Sequence, residues 1–306
     1  MSKVAIVRFP PGENRQKVDK NDYRNMLQAG LMALAGTLNL KAAISKYLPG
    51  GVVGMKTNCL ARKFNSTPLP LAEALADLLV LSGISNENII VWERTNQELE
   101  WGGFPVSQTA PGVRYIGTDS PGIGYSNDFY SSGPVNSLVS RILTEMLTYN
   151  INLPVLKDHS VAGLSGGMKN MYGGINNPNK YHDNNCDPFV AHVSNLEPIK
   201  KKNRLTILDA VRLQYNGGPG YNSRYVTAYN GLIISDDPVA ADRIGLEILE
   251  HFRKINNLPT LEKAGRPVRY LKTAEEIGLG TSSLNKIEIL AFIMDNSGKA
   301  VKGDYI

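Results

Sequence analysis

The chain has 306 residues, 42% of them apolar and 20% charged, enough to bury an ordinary core in one elaborated domain or in two. Its formal charge of +5 comes from scattered lysines and arginines, and the one dense run, "KKKNR" at 200–204, is short and sits before an apolar stretch like a solvated turn, so nucleic acid is not the expected partner. Cys59 and Cys186 lie far apart and outside any C-x-x-C spacing, which excludes a disulfide-dense scaffold and leaves no iron–sulfur cluster expected within the chain. No uninterrupted apolar run is long enough to predict a membrane span. The N-terminal "MSKVAIVRFPPGENRQ" lacks an apolar export core, so the expected location is the cytoplasm; a longer precursor with its signal trimmed would read the same.

In chain order, "KVAIVRF", "GVVGMKT", "NIIVWER", "VRYIGT", "NLPVLKD", "LTILDAV" and "NGLIISD" have the length and β-branched content of buried strands. Between the second and third, "TPLPLAEALADLLVLSGIS" repeats leucine at helical spacing, with proline near its start and Gly83 near its end. The segments "VNSLVSRILTEMLTYN" and "DPVAADRIGLEILEHFRK" carry comparable helical periodicity. Such alternation predicts an α/β fold of mostly parallel sheets with flanking helices, in two closely associated lobes, 1–150 and 151–306, or one continuous domain. A cleft is expected at the carboxyl ends of the strands.

Those strand ends are polar. The second delivers Lys56 and Asn58, the third Glu93, Arg94 and Asn96, and the "LPVLKDHS" strand delivers Lys157, Asp158 and His159 into a glycine-rich segment. Asp209 in "ILDAVRLQYNGGPG" and Asp236 and Asp237 before a helix complete the set. Each has a bland alternative: Asp237 before Pro238 is a good helix cap, Lys56 could be a surface lysine, Asp209 could bond a turn, and Glu93 and Arg94 could pair with each other. Their clustering at one edge is what points to a site.

The segment "HSVAGLSGGMKNMYGG" (159–174) has too much glycine for regular structure. Gly166 and Gly167 allow a left-handed turn whose bare N–H groups, with Lys169 and Asn170, would hold a carboxylate or phosphate. A desolvated Lys169 would instead serve as base or nucleophile. His159 precedes the segment and His182 follows it, and functional and structural roles are evenly matched for both; His192 and His251 are expected to be structural. A divalent ion at His159 and His182 is conceivable, but the nearby carboxylates are dispersed, and a metal-free site is expected.

The passages "GMKTNCLARKFNSTPLPLAEALADLLVLSGISNENIIVWERT", "LPVLKDHSVAGLSGGMKNMYGGINNPNKYHDN", "LTILDAVRLQYNGGPG" and "SDDPVAADRIG" resemble the widespread prokaryotic family known as domain of unknown function 362, from about Val53 to about Gly280. The name of that family implies no established reaction. The stretch from His159 through "AGLSGGMK" to His182 is also similar, more locally, to the nickel-pincer lactate racemases. That resemblance implies that Lys169 corresponds to the lysine tethering a nickel cofactor, with His159 and His182 as ligand, acid or base. No histidine precedes His159, so the second member of that family's histidine pair has no counterpart here.

Three functions stay open at this point. The expected one is an enzyme acting on a small, carboxylate-bearing anion, with isomerase-like or redox-associated chemistry both admissible. Lys157, Lys169, His159 and His182 would carry the chemistry, and Lys56, Asn58, Gly166, Gly167, Asn170 and Asp209 would bind substrate. A non-catalytic carrier of a metal or anion would need the same groups, and a partner-docking protein would use the loops alone.

Overall fold

The computed structural model describes residues 1–10, 12, 18–109, 111–295 and 297–306. Among these, the β-branched runs form β1 (Ser2–Arg8), β2 (Val53–Lys56), β3 (Ile89–Glu93) and β4 (Arg114–Gly117). A small hairpin follows, β5 (Tyr130–Ser132) and β6 (Val135–Ser137), and then β7 (Tyr149–Asn152), β8 (Val155–His159) and β9 (Gly163–Ser165). The long strands β10 (Asn203–Gln214) and β11 (Val226–Ser235) precede the C-terminal β12 (Ile287–Met294) and β13 (Ala300–Lys302). The helices are α1 (Lys20–Ala35), α2 (Leu40–Tyr47), α3 (Leu69–Leu81), α4 (Asn96–Gly102), α5 (Gly167–Asn170), α6 (Phe189–Ser194), α7 (Glu197–Lys202), α8 (Pro238–Ile255) and α9 (Tyr270–Glu276).

Eleven strands share one sheet, whose main path runs β13-β12-β1-β11-β10-β7-β2-β3-β4, with β8 and β9 branching from β10. The run β10-β7-β2-β3-β4 is parallel throughout, as is β1 beside β12, while β11 lies antiparallel to both its neighbours. The fold is therefore α/β with a mostly parallel sheet, as the alternation predicts. Strands from the two ends of the chain interleave, since β1 sits between β12 and β11, and residue 150 falls inside β7.

Alternation along β3 shows how both faces are covered. Ile89 and Val91 enter the core with Leu27 of α1, Ile44 of α2 and Leu75 of α3, whereas Ile90 and Trp92 enter the opposite core with Met168 of α5, Val190 of α6 and Ile199 of α7. Asp237 caps α8 as expected, its Oδ1 accepting from the N–H groups of Val239 and Ala240 at 2.9 Å each.

The expected helix over 135–150 does not form. The segment contributes β6, an antiparallel bridge from Val139 to Ile175, one wide turn over Ile142–Met146, and β7. Its backbone is claimed by distant partners: Ser140 N–H donates to the Gly174 carbonyl at 2.8 Å, and Ser126 N–H to the Val139 carbonyl at 2.8 Å. Val135, Val139, Ile142 and Leu143 are all buried nonetheless, so the apolar spacing marked core positions and not a helix.

Among the described residues no single helix is long and apolar enough to cross a membrane; α1 and α2 reach that test only as a pair bent by 66°.

Candidate active site

The strand that carries the site is divided. The β7 segment pairs with the first part of β10, Asn152 opposite Thr206, and then the chain bends at Leu153 and Pro154. The Pro154 carbonyl accepts from Asp209 N–H at 2.9 Å, and β8 continues beside the later part of β10. The bend carries β8 off the main path of the sheet. Lys157 and His159, two residues apart, share one face of β8, and Asp158 takes the other.

Asp158 is buried and anchors the surroundings, accepting from Arg266 Nη1 and from Gly218 N–H at 2.6 Å each. Lys157 is only 2% exposed, and its ammonium donates to Asn58 Oδ1 at 2.7 Å and to the Asn65 carbonyl at 2.8 Å. Asn58 Nδ2 in turn donates to Asn170 Oδ1 at 2.9 Å, Asn170 Nδ2 to Asn152 Oδ1 at 2.8 Å, and Asn152 Nδ2 to the Gly167 carbonyl at 2.7 Å. This relay of amides orients every acceptor toward the lysine end. Burial pushes the Lys157 ammonium down to about 8.

His159 is fixed in one tautomer. Its Nδ1 accepts from the N–H groups of Val161 at 3.0 Å and Ala162 at 3.1 Å, so the ring proton of the neutral imidazole sits on Nε2. Burial, followed by the nearby Lys169 charge, holds its pKa down to about 3. His159 therefore offers a neutral N–H donor over the working pH range.

Lys169 stands on α5, a single turn. The Gly167 and Met168 N–H groups at the start of that turn donate to Asp242 Oδ1 at 2.6 Å and Oδ2 at 3.0 Å, and burial raises Asp242, a residue of α8, to about 7 against the pull of those two bonds. The Lys169 ammonium lies 3.1 Å from His182 Nε2 and 3.7 Å from the centre of the Tyr172 ring. It is 8% exposed, and burial lowers it to about 8. His182 is held from its other nitrogen, Nδ1–H donating to the Pro178 carbonyl at 3.1 Å, which leaves the Nε2 lone pair for Lys169. The two imidazoles lie 5.9 Å apart, centre to centre.

At the β2 and β3 exits the charges are matched. Lys56, fully buried, forms an ion pair with Glu93 and donates to the Thr57 carbonyl at 2.7 Å, and Arg94 pairs with Glu98 one helical turn on. Gly173 permits this, because a Cβ there would fall 2.8 Å from both Cε and Nζ of Lys56. Among the described residues no carboxylate pairs with Lys157 or Lys169.

These elements enclose one cavity of about 260 Å³, reached by Lys56 and Asn58 from β2, Lys157 and His159 from β8, and Lys169, Asn170 and His182 around α5. Three residues expected at the site lie elsewhere. Gly166 and Gly167 are not left-handed and do not line the cavity, and the N–H groups of Gly167 and Met168 are taken by Asp242. What requires glycine there is close packing: a Cβ on Gly166 would lie 2.4 Å from Asp242 Oδ1, and one on Gly167 2.7 Å from Thr206 Cγ2. Asp209 falls mid-strand, because β10 continues to Gln214; its buried carboxylate accepts from Val211 N–H at 3.0 Å, and burial raises it to about 7.

Tyr172, Glu98 and Asp242 were not foreseen. Asp242 had a signal, an acid spaced three and seven residues before Gly245 and Leu249 on the buried stripe of α8. The structural expectation for His192 agrees with its ring, which lies 2.9 Å from Ser132 Oγ outside the cavity. His251 packs edge-on to Phe252.

The donors do not suit a divalent metal or a tethered nickel group. No cluster of three or more histidine, cysteine or acidic residues able to hold an ion occurs among the described residues. His159 Nε2 carries the ring proton and has no lone pair to give, and the His182 Nε2 lone pair faces an ammonium.

Comparison with curated proteins finds no match. Among solved structures, the crystal structure of a Thermotoga maritima protein, a structural-genomics target, is similar with a TM-score of 0.41 and 14% identity over 70% of this chain. The alignment spans 58% of the length of that protein. Residues 53–247, more than half of the chain and all of the site from Lys56 to Asp242, match the family described as Domain of unknown function (DUF362), and the chain belongs to that family.

Proposed function

We propose that this cavity is the active site of an enzyme acting on a small carboxylate-bearing substrate. One observation carries the proposal: two buried lysines, Lys157 and Lys169, reach one cavity without a carboxylate partner among the described residues. Uncompensated buried ammonium groups are unfavourable, and a bound anion would offset them. In this scheme Lys157 and the Nε2–H of His159, neighbours on one strand face, hold the carboxylate. Lys169, lowered to about 8, and His182 exchange a proton with the substrate, since a base near the working pH is the effective one. The paired Lys56 and Glu93 then serve as a neutral wall.

The test has two parts. Calorimetry with a panel of small mono- and dicarboxylates should find binding that weakens about tenfold or more in Lys157→Met. For the acids that bind, NMR in deuterated water should show exchange of the hydrogen next to the carboxylate, lost in Lys169→Met. Absence of binding across the panel sinks the proposal. Binding without exchange or turnover leaves a carrier as the function.

A further inference from the structure

A second cavity, about 440 Å³, is lined by Gly167 and Met168 of α5 together with Asn152, and it has no lining residue in common with the first. Its character differs. Met168, Met171 and Ile199 give an apolar floor, and Tyr149 forms part of the side. Lys46 enters from α2, and Lys200 and Arg204 enter from the basic run that looked like a solvated turn.

That run divides by partner. Lys201 forms an ion pair with Glu197, and Lys202 donates to the Thr144 carbonyl at 3.1 Å. Lys200 and Arg204 line the cavity instead, with no carboxylate partner among the described residues, and the Arg204 guanidinium lies 5.3 Å from the centre of the Tyr149 ring. Among the described residues, Lys200 donates only to Asn195 Oδ1 at 3.0 Å, and Lys46 only to the Ala35 carbonyl at 3.3 Å. Ser194, 6% exposed, also lines the cavity, and its buried Oγ has no hydrogen-bond partner among the described residues. Asp236 is the one acid in the lining, and burial raises its pKa.

Three cations, an unpartnered hydroxyl and an apolar floor fit a multivalent anion attached to an apolar body. We infer that this cavity binds a phosphate monoester with an aromatic or apolar group. The phosphate would lie against Lys46, Lys200 and Arg204, where a planar guanidinium can donate two bonds at once, and the body would lie on the methionine floor beside Tyr149.

Phenyl phosphate serves as the probe, compared with inorganic phosphate and benzoate by calorimetry on the full chain. Lys200 and Arg204 are exposed at the rim, so a Lys200→Gln/Arg204→Gln double variant should fold normally. Phenyl phosphate should bind more tightly than either comparison compound, weaken as salt rises, and lose about tenfold or more in affinity in the double variant. Lys169→Met, which alters the first cavity alone, should bind it as the parent does. No binding of phenyl phosphate, or equal affinity in the parent and the double variant, overturns the inference. Benzoate binding as tightly as phenyl phosphate overturns the assignment to phosphate.

Discussion

Lys169 and His182 meet at 3.1 Å with no acid among the described residues to share the charge, and the imidazole is held from behind by the Pro178 carbonyl. An ammonium so placed opposes folding. Its pKa falls from 10.5 to about 8 in the folded chain, so between those values the unfolded chain binds more protons and stability rises with pH. Lys169→Met should remove that rise and add about 1–3 kcal/mol at pH 7, where the native group is charged. Urea unfolding of both proteins at pH 7 and pH 10 measures it; a less stable Lys169→Met at pH 7 contradicts the picture of an uncompensated charge.

His159 should stay neutral with its proton on Nε2 down to acid pH. Its folded pKa of about 3 lies below the ordinary 6.5, so its contribution to stability is complete above pH 6.5 and is lost as pH falls toward 3. Nitrogen NMR shifts at pH 5 report the tautomer directly. A protonation midpoint near 6.5 would mean that the backbone bonds to Nδ1 do not persist in solution.

Asp242→Asn replaces one acceptor with an amide that faces a backbone N–H. A destabilisation of about 1–3 kcal/mol is expected from the unsatisfied donor. Because the same bonds set the start of α5, the Lys169–His182 contact should loosen too, seen as a shift of the His182 ring resonances. Unchanged stability would show that Asp242 does not hold this turn.

Gly173→Ala and Gly220→Ala form a matched pair, both at the cavity. A methyl group on Gly173 collides with Lys56, whereas nothing lies within 4 Å of a Cβ on Gly220. We expect a loss of about 1–3 kcal/mol for the first and a change within about 0.5 kcal/mol for the second. Equal thermal shifts in the two would remove the steric account of Gly173.

The strand exits that build the site were legible because buried parallel strands write themselves as short β-branched runs, and the residue after each run must leave the sheet. Lys56, Lys157 and His159 follow from that rule. Asp209 does not, because β10 runs on through "AVRLQ", and a strand's end cannot be seen where apolar residues continue past a charge. The glycines at 166 and 167 were recognisable as special but not for the right reason: their constraint comes from close packing against residues distant in sequence, Asp242 for Gly166 and Thr206 for Gly167. Residues 135–150 carry a helical spacing that the pairing of distant backbone overrides. The strand β12, "IEILAFIM", went unrecognised beside β1, although it is as apolar as the runs that were identified.

The bend at Leu153 and Pro154 makes the sign of the cavity a matter of chain parity. Side chains on β8 alternate, so one residue added or removed between Asn152 and Val155 would carry Lys157 and His159 to the back of the strand and turn Asp158 forward. The cavity would then present a carboxylate in place of an ammonium and leave Arg266 facing a lysine. Insertions of two would restore the order. Length variation in this family should therefore be tolerated in the loops after β8 and β10 far more readily than at this two-residue joint, where a single codon inverts the chemistry.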